Sequence, residues 1–197
     1  MGFFELAAPV YDLAMKAVGH GESLEELVEV IEPQSGEKLL DLGGGTGQLL
    51  EYIPEKVEVT LADSSESMLK KAEKKDRRPR TEYVLASGDD LPMNSGIFDY
   101  VVVADALHHM ERVDDTIAEV ARILNEEGEL YILEFLPGSF LTGFVRVGES
   151  LFGEPANFFE PENLADLCRE KGLDAEYEEI SASLYILRAY KTTTEKR

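Results

Sequence analysis

The chain has 197 residues, with 40 Asp or Glu against 19 Lys or Arg, giving a formal charge of −21. A surface that acidic repels phosphate backbones and argues against DNA or RNA as substrate. The length suits one domain with a buried core, and the single cysteine, Cys168, excludes an internal disulfide.

The N-terminal stretch, residues 3–18, is rich in apolar residues and interrupted by Pro9, which predicts one or two short helices. Ser23-Leu24-Glu25-Glu26 has the form of a capping box, opening a helix with Leu24, Leu27, Val28 and Ile31 on one face. After Pro33 to Gly36 the apolar run Lys38–Leu42 predicts the first strand. It leads straight into Gly43-Gly44-Gly45-Thr46-Gly47 and a helix start at Gln48-Leu49-Leu50. Glycines here let the backbone turn sharply and come close to a ligand, and a following helix offers unpaired N–H groups.

Strand two is expected over 57–62, ending at Asp63, and a helix over 64–75 burying Met68, Leu69 and Ala72. Seven basic residues between Lys70 and Arg80 read as a solvated helix end whose cations complement the macrodipole. Strand three follows over 81–86, then a polar turn over 87–96. The continuous run Val101-Val102-Val103 marks 98–104 as a strand buried on both faces. A helix over 114–124 turns Ile117, Val120, Ala121 and Leu124 inward, and residues 125–128 turn the chain into strand five, 129–135.

Strands alternating with helices at this spacing imply right-handed crossovers and a parallel, doubly wound α/β sheet. The rhythm then breaks over 136–160, a long aromatic segment carrying Phe140, Phe144, Phe152, Phe158 and Phe159. Loops of that length are commonly lids or binding segments. A helix over 161–171 closed by Gly172, with Cys168 as a buried small hydrophobe, precedes a final antiparallel strand pair over 174–180 and 183–190. No basic-flanked apolar leader and no apolar run of membrane length are seen, so the chain reads as cytoplasmic.

The glycine spacing separates two ligand classes. A dinucleotide fingerprint, G-x-G-x-x-G, counted from Gly43 needs its third glycine at position 48, which is Gln48. The observed pattern is an acid, Asp41, then Gly43, Gly45 and Gly47, and this resembles the first motif of class I S-adenosylmethionine-dependent methyltransferases. Tyr11-Asp12, Asp63-Ser64-Ser65-Glu66-Ser67-Met68-Leu69, Leu91-Pro92, Phe98-Asp99, Ala106-Leu107-His108-His109, Arg146-Val147-Gly148-Glu149 and Leu187-Arg188-Ala189-Tyr190-Lys191 continue the resemblance in family order. Within the small-molecule enzymes of that class, the chain looks most like the ubiquinone/menaquinone-biosynthesis C-methyltransferase group.

The resemblance implies a seven-stranded Rossmann-like methyltransferase sheet, mostly parallel with a C-terminal antiparallel strand. It implies one methyltransferase domain over 1–197, with a helical cap over 1–32 and a substrate-side insertion over 136–160. By the same resemblance Asp41 orients the loop of Gly43, Gly44, Gly45 and Gly47 and the amino-acid end of S-adenosyl-L-methionine, whose product is S-adenosyl-L-homocysteine. Asp63, followed by Ser64, accepts from the ribose hydroxyls, since a carboxylate can take two vicinal hydroxyl protons. Met68 packs on the adenine, and Ala104 ends strand four beside it.

At one corner the family pattern is broken. Where the family has Gly-Asp-Ala, this chain has Ala86-Ser87-Gly88, so the acid facing the adenine amino group is replaced by Ser87 or supplied by Asp89. His108 and His109 are the candidate catalytic residues, as general base or acceptor-orienting groups. Structural histidines satisfied by loop backbone are the alternative. Glu134, Tyr11 and His20 follow as further candidates. The implied reaction is methyl transfer to a small-molecule acceptor, without a metal, since no His/Cys/Asp/Glu cluster has ligand spacing. A non-catalytic S-adenosylmethionine-binding or regulatory protein is the alternative reading. The insertion lacks the tyrosine-rich run of the quinone group, which leaves the acceptor open.

Overall fold

The computed structural model of the protein describes residues 20–76, 78, 80–139, 142 and 157–191. The helices expected over 3–18, most of the aromatic segment 136–160, and Tyr11 lie outside the described residues. The elements are α1 (His20–Ile31), β1 (Lys38–Leu42), β2 (Glu58–Asp63), α2 (Glu66–Lys75), β3 (Thr81–Leu85), β4 (Phe98–Ala104), α3 (Val113–Ile123), β5 (Leu124–Phe135), α4 (Pro161–Glu170), β6 (Leu173–Glu179) and β7 (Leu184–Lys191).

The seven strands form one sheet in the order β3-β2-β1-β4-β5-β7-β6. β1 to β5 pair in parallel, and β7 runs antiparallel to both β5 and β6. The order reverses between β1 and β4, and in such sheets ligands sit outside the carboxyl ends of the strands at that switch.

Alternation along each strand feeds two cores. Leu40, Leu42, Val101 and Val103 face α3 and α4, meeting Ile117, Val120, Leu164 and Cys168. Leu39, Val59, Leu61 and Val102 face the other way onto Leu24, Leu27 and Ile31 of α1 and Leu69 and Ala72 of α2. Burying the strands on both faces is what makes β4 read as a continuous valine run.

Several boundaries differ from the sequence reading. α1 begins at His20, so Ser23 lies inside the helix rather than capping it, with Glu22 in the first turn facing the positive end of the dipole. The helix expected after the glycine loop is a single 3-10 turn, Leu49–Glu51. Pro54 explains its shortness, because proline lacks the N–H that would continue a helix and pushes the preceding residue out of the helical region.

The turn expected over 125–128 is taken up within β5. Phe98 pairs with Leu124 while Tyr100 pairs with Glu129, an irregularity that leaves residues 125–128 bulging from the edge of the pairing. Leu124, expected on the helix, therefore opens the strand. α4 ends as expected, with Gly172 at φ +83, a left-handed conformation that glycine adopts without strain. No helix among the described residues is long and apolar enough to cross a membrane.

Candidate active site

The carboxyl ends of β1, β2 and β4 open onto a cavity of about 470 Å³. One wall is built from main chain. β1 runs past Leu42 into Gly43, whose N–H donates to the Ala62 carbonyl at 2.7 Å and keeps the chain beside β2. Gly43 sits at φ +75, and a Cβ there would lie 2.6 Å from the Ala106 Cβ. At Gly44 a Cβ would collide with the Asp41 carboxylate. Side chains are therefore excluded at both positions, one by conformation and space, the other by space alone.

Asp63, at the tip of β2, fastens this wall. Its Oδ2 accepts the Gly45 N–H at 2.9 Å and its Oδ1 accepts the Ser65 N–H at 2.7 Å. One carboxylate thus joins the glycine loop to the start of α2. Burial raises its carboxyl above the usual range, opposed by those two N–H donors.

Asp41 lies beneath the loop, 1% exposed, and its Oδ2 has no hydrogen-bond partner among the described residues. Burial, and then the Asp63 charge, push its carboxyl up to about 7. An unsatisfied buried carboxylate oxygen costs desolvation energy that a ligand cation can repay. The wall of a cavity is where such an oxygen can meet the ammonium group of an amino-acid-bearing cofactor.

The lip comes from the end of β3 and the start of α3. The Ser87 hydroxyl donates to Asp89, and Arg112 Nη1 donates to the other Asp89 oxygen at 3.0 Å. The Ser87 hydroxyl, ahead of the Arg112 charge, holds the Asp89 carboxyl below its ordinary value. Gly88 packs under this lip, where a Cβ would lie 3.0 Å from Thr116 and 3.2 Å from the Met110 sulfur. Serine and aspartate are thus joined in one hydrogen-bonded unit at the corner where the family pattern is broken.

The opposite wall is the turn after β4. Asp105 adopts φ +48, a left-handed conformation that Asp tolerates better than most residues, and its N–H donates to the Leu133 carbonyl at 3.0 Å. Leu107–His109 then forms a 3-10 turn. His109 lines the cavity and its ring lies against that of His108, with centroids 4.1 Å apart.

His108 points away from the cavity. It is wholly buried, with Nδ1 at 2.8 and 2.9 Å from the two oxygens of Glu134, which is wholly buried too. Burial raises the Glu134 carboxyl, and the facing His108 opposes that shift.

Among the residues expected to hold the cofactor, Asp41, Gly43, Gly44 and Gly45 line this cavity, as do Asp63, Ser64, Met68 and Ala104. Ser87, Gly88 and Asp89 line it as well. Gly47 does not. It sits at φ +75, and a Cβ there would be 3.0 Å from Leu50 and 3.2 Å from Ala72, so its smallness serves the packing of the loop on α2. Of the two histidines only His109 reaches the cavity.

Sequence reasoning gave no role to Asp105, Met110, Arg112 or Thr116, all of which line it. They are supplied by the turn after β4 and the start of α3, whose approach to β3 has no local sequence signal. No group of three or more potential metal ligands occurs among the described residues.

Comparison with known proteins finds likeness to methyltransferases in both sequence and fold. A family model described as a methyltransferase domain matches residues 40–132, the stretch from β1 into β5. A demethylmenaquinone methyltransferase of Thermotoga maritima is 27% identical over 93% of this chain and 92% of its own. A ubiquinone/menaquinone biosynthesis C-methyltransferase UbiE of Shewanella piezotolerans is 34% identical over 68% of this chain, a match that spans 58% of that enzyme's length. Among solved structures, a chain from the complex between the Haloferax volcanii Trm112 methyltransferase activator and a methyltransferase superposes with a TM-score of 0.83. It covers 98% of this chain and 99% of its own at 16% identity, a likeness of fold.

Proposed function

This chain belongs to the class I S-adenosylmethionine-dependent methyltransferases, and from that premise we propose that it methylates a ring carbon of a small hydroquinone. The observation that carries this choice of acceptor is the end-to-end match to a demethylmenaquinone methyltransferase, over 93% of one chain and 92% of the other. His109, which lines the cavity with the glycine loop, supports it, since an imidazole nitrogen there can meet a ring hydroxyl.

S-adenosylmethionine supplies, when bound, a methyl group on a sulfonium that leaves as a neutral thioether. The chain's own residues bind and align. Asp63 accepts from the two ribose hydroxyls while the N–H groups of Gly45 and Ser65 favour its charged form and hold it in place. Asp41 offers its unpaired oxygen to the ammonium group. Met68 and the Ser87–Asp89 unit face the adenine, with Ser87 standing where the family has an acid. Ser64, Gly88 and Ala104 complete the walls on that side.

On the acceptor side, an imidazole nitrogen of His109 takes the proton of a ring hydroxyl. The resulting electron-rich ring carbon would accept the methyl group that the bound sulfonium supplies; return of the His109 proton to the ring oxygen then frees the imidazole to take the ring proton, which restores aromaticity. Alignment and exclusion of water carry most of such a rate. In this reading residues 1–197 act as one methyltransferase domain, with 1–32 as cap and 136–160 on the acceptor side.

The test is turnover with methyl-labelled S-adenosylmethionine and a chemically reduced 2-prenyl-1,4-naphthoquinone. Label recovered on the ring carbon is the expected result. Tight S-adenosylhomocysteine binding with no label in that acceptor would overturn the acceptor and leave the cofactor standing.

A further inference from the structure

The wall that meets the acceptor is held by a group that never touches the cavity. Glu134 and His108 are both fully buried, and a buried polar pair of this kind is often no more stabilising than apolar residues of the same shape. Stability alone therefore gives little reason for its presence. Its position gives a better one, because it sits directly behind His109 at the carboxyl ends of β4 and β5.

Glu134 receives four contacts from three donors. His108 Nδ1 approaches both oxygens, at 2.8 and 2.9 Å; the His108 backbone N–H lies 3.3 Å from Oε2; and the Phe135 N–H donates to Oε1 at 2.8 Å. A carboxylate accepts, so the ring proton is on Nδ1 and the orientation of the imidazole is fixed.

His108 in turn carries two things. Its ring supports His109 at 4.1 Å, and it supports Phe158 at 4.8 Å, with Phe135 edge-on to Phe158 at 88°. Its carbonyl accepts the Asn157 N–H at 3.1 Å. The carboxylate thereby fastens the turn after β4, the end of β5, and the point where the chain returns from the 136–160 segment. Asp63 and the glycine loop are tied together by separate bonds, which Glu134 does not share.

We propose that Glu134 is a positioning residue: acting through His108, it sets His109 and the Asn157–Phe158 limb as the surface against which the methyl acceptor is aligned. The inference rests on the methyltransferase reading of the same cavity. It predicts that disturbing Glu134 separates acceptor turnover from cofactor binding.

The test uses the full chain as wild type, Glu134→Gln and Glu134→Asp. Three quantities are measured: S-adenosylhomocysteine affinity by calorimetry, kcat and KM with the reduced 2-prenyl-1,4-naphthoquinone, and the histidine ring resonances by NMR. In Glu134→Gln the expected result is affinity within about twofold of wild type and kcat lower by about a hundredfold, the cost of a misplaced reacting partner. The His108 Nδ1 proton signal should be lost and the His109 ring signals displaced. Glu134→Asp, which keeps the charge, should restore part of kcat.

An unchanged kcat with unmoved His109 signals overturns the proposal. So does a loss of S-adenosylhomocysteine affinity in proportion to kcat, which would mark a merely structural pair. If neither variant folds, the pair is structural and the proposal falls. Should the wild type leave the naphthoquinol unmethylated, the acceptor reading fails by itself. The resonances and the calorimetry then decide the role of Glu134.

Discussion

The two walls of the cavity are each fastened by one carboxylate, and the two carboxylates work differently. Asp63 is half-buried and accepts main-chain N–H groups from Gly45 and Ser65, 18 and 2 residues away in sequence. Glu134 is fully buried, faces an imidazole, and reaches across 26 residues. The first arrangement leaves oxygen lone pairs open to the cavity, and the second consumes them internally. One wall is thus built to recognise a ligand directly, and the other to hold a shape.

That difference predicts opposite phenotypes. Glu134→Ala leaves a buried imidazole and two backbone N–H groups without their acceptor, a loss of about 3–5 kcal/mol. For a domain of this size the midpoint of thermal unfolding should fall by roughly 10 °C. The surviving folded fraction should bind S-adenosylhomocysteine almost normally. Scanning calorimetry beside titration calorimetry checks both halves, and a variant with wild-type Tm would erase the contrast between the walls.

Asp63→Ala should do the reverse. The Gly45 and Ser65 N–H groups can turn to water at a half-buried site, so the melting temperature moves little. The affinity for S-adenosylhomocysteine, however, should drop by about ten- to hundredfold, the worth of charge-assisted bonds to two hydroxyls. Equal losses of stability and affinity would mean that the two carboxylates play one kind of role.

A third way to sharpen the comparison is pH, because Asp41 belongs to the ligand-facing wall and is raised to about 7 from 3.8. Between those values the folded apo protein binds a proton that the unfolded chain has lost. This group's contribution to stability therefore falls as pH rises from about 4 to about 7, and then levels off. Ligand binding runs the other way, since the ammonium group needs the ionised carboxylate. S-adenosylhomocysteine affinity should rise by about eightfold from roughly pH 6 to pH 7.5, following the ionised fraction of a group that titrates near 7. The rise should vanish in Asp41→Asn, which should also melt higher than wild type at alkaline pH. A pH-independent affinity in the wild type would remove Asp41 from ligand contact.

The same contrast explains what could be read from the sequence. The mostly parallel, doubly wound sheet and the glycine-loop wall were legible because each depends on local signals: apolar alternation, an acid at a strand tip, glycines where φ is positive or space is missing. Gly47 is harder to read, since a glycine required by packing against Leu50 and Ala72 looks the same in sequence as one required by a ligand. The His108–Glu134 pairing was hidden because one partner lies in the turn after β4 and the other on β5, and nothing near His108 says which of the two adjacent histidines turns inward. Arg112 and Thr116 were missed for a similar reason: they reach the cavity through the packing of α3 against residues 88–93, the segment after β3. The single 3-10 turn after the glycine loop was a local misreading, with Pro54 the decisive residue.

The smallest expected effect lies at the lip that joins the walls. The Arg112 side chain is 65% exposed and pairs with Asp89 at 3.0 Å and with Asp115 at 2.5 Å. Exposed pairs of this kind contribute little to stability and weaken with salt. Arg112→Ala should therefore change Tm by no more than a few degrees. Asp89 also keeps its hydrogen bond from Ser87, so the corner facing the adenine survives the loss of the cation. S-adenosylhomocysteine affinity should stay within about threefold of wild type, with a weaker dependence on ionic strength. A loss as large as that of Asp63→Ala would mean that the guanidinium, rather than the Ser87–Asp89 unit, meets the ligand. The lip would then belong to the recognising wall and not stand between the two.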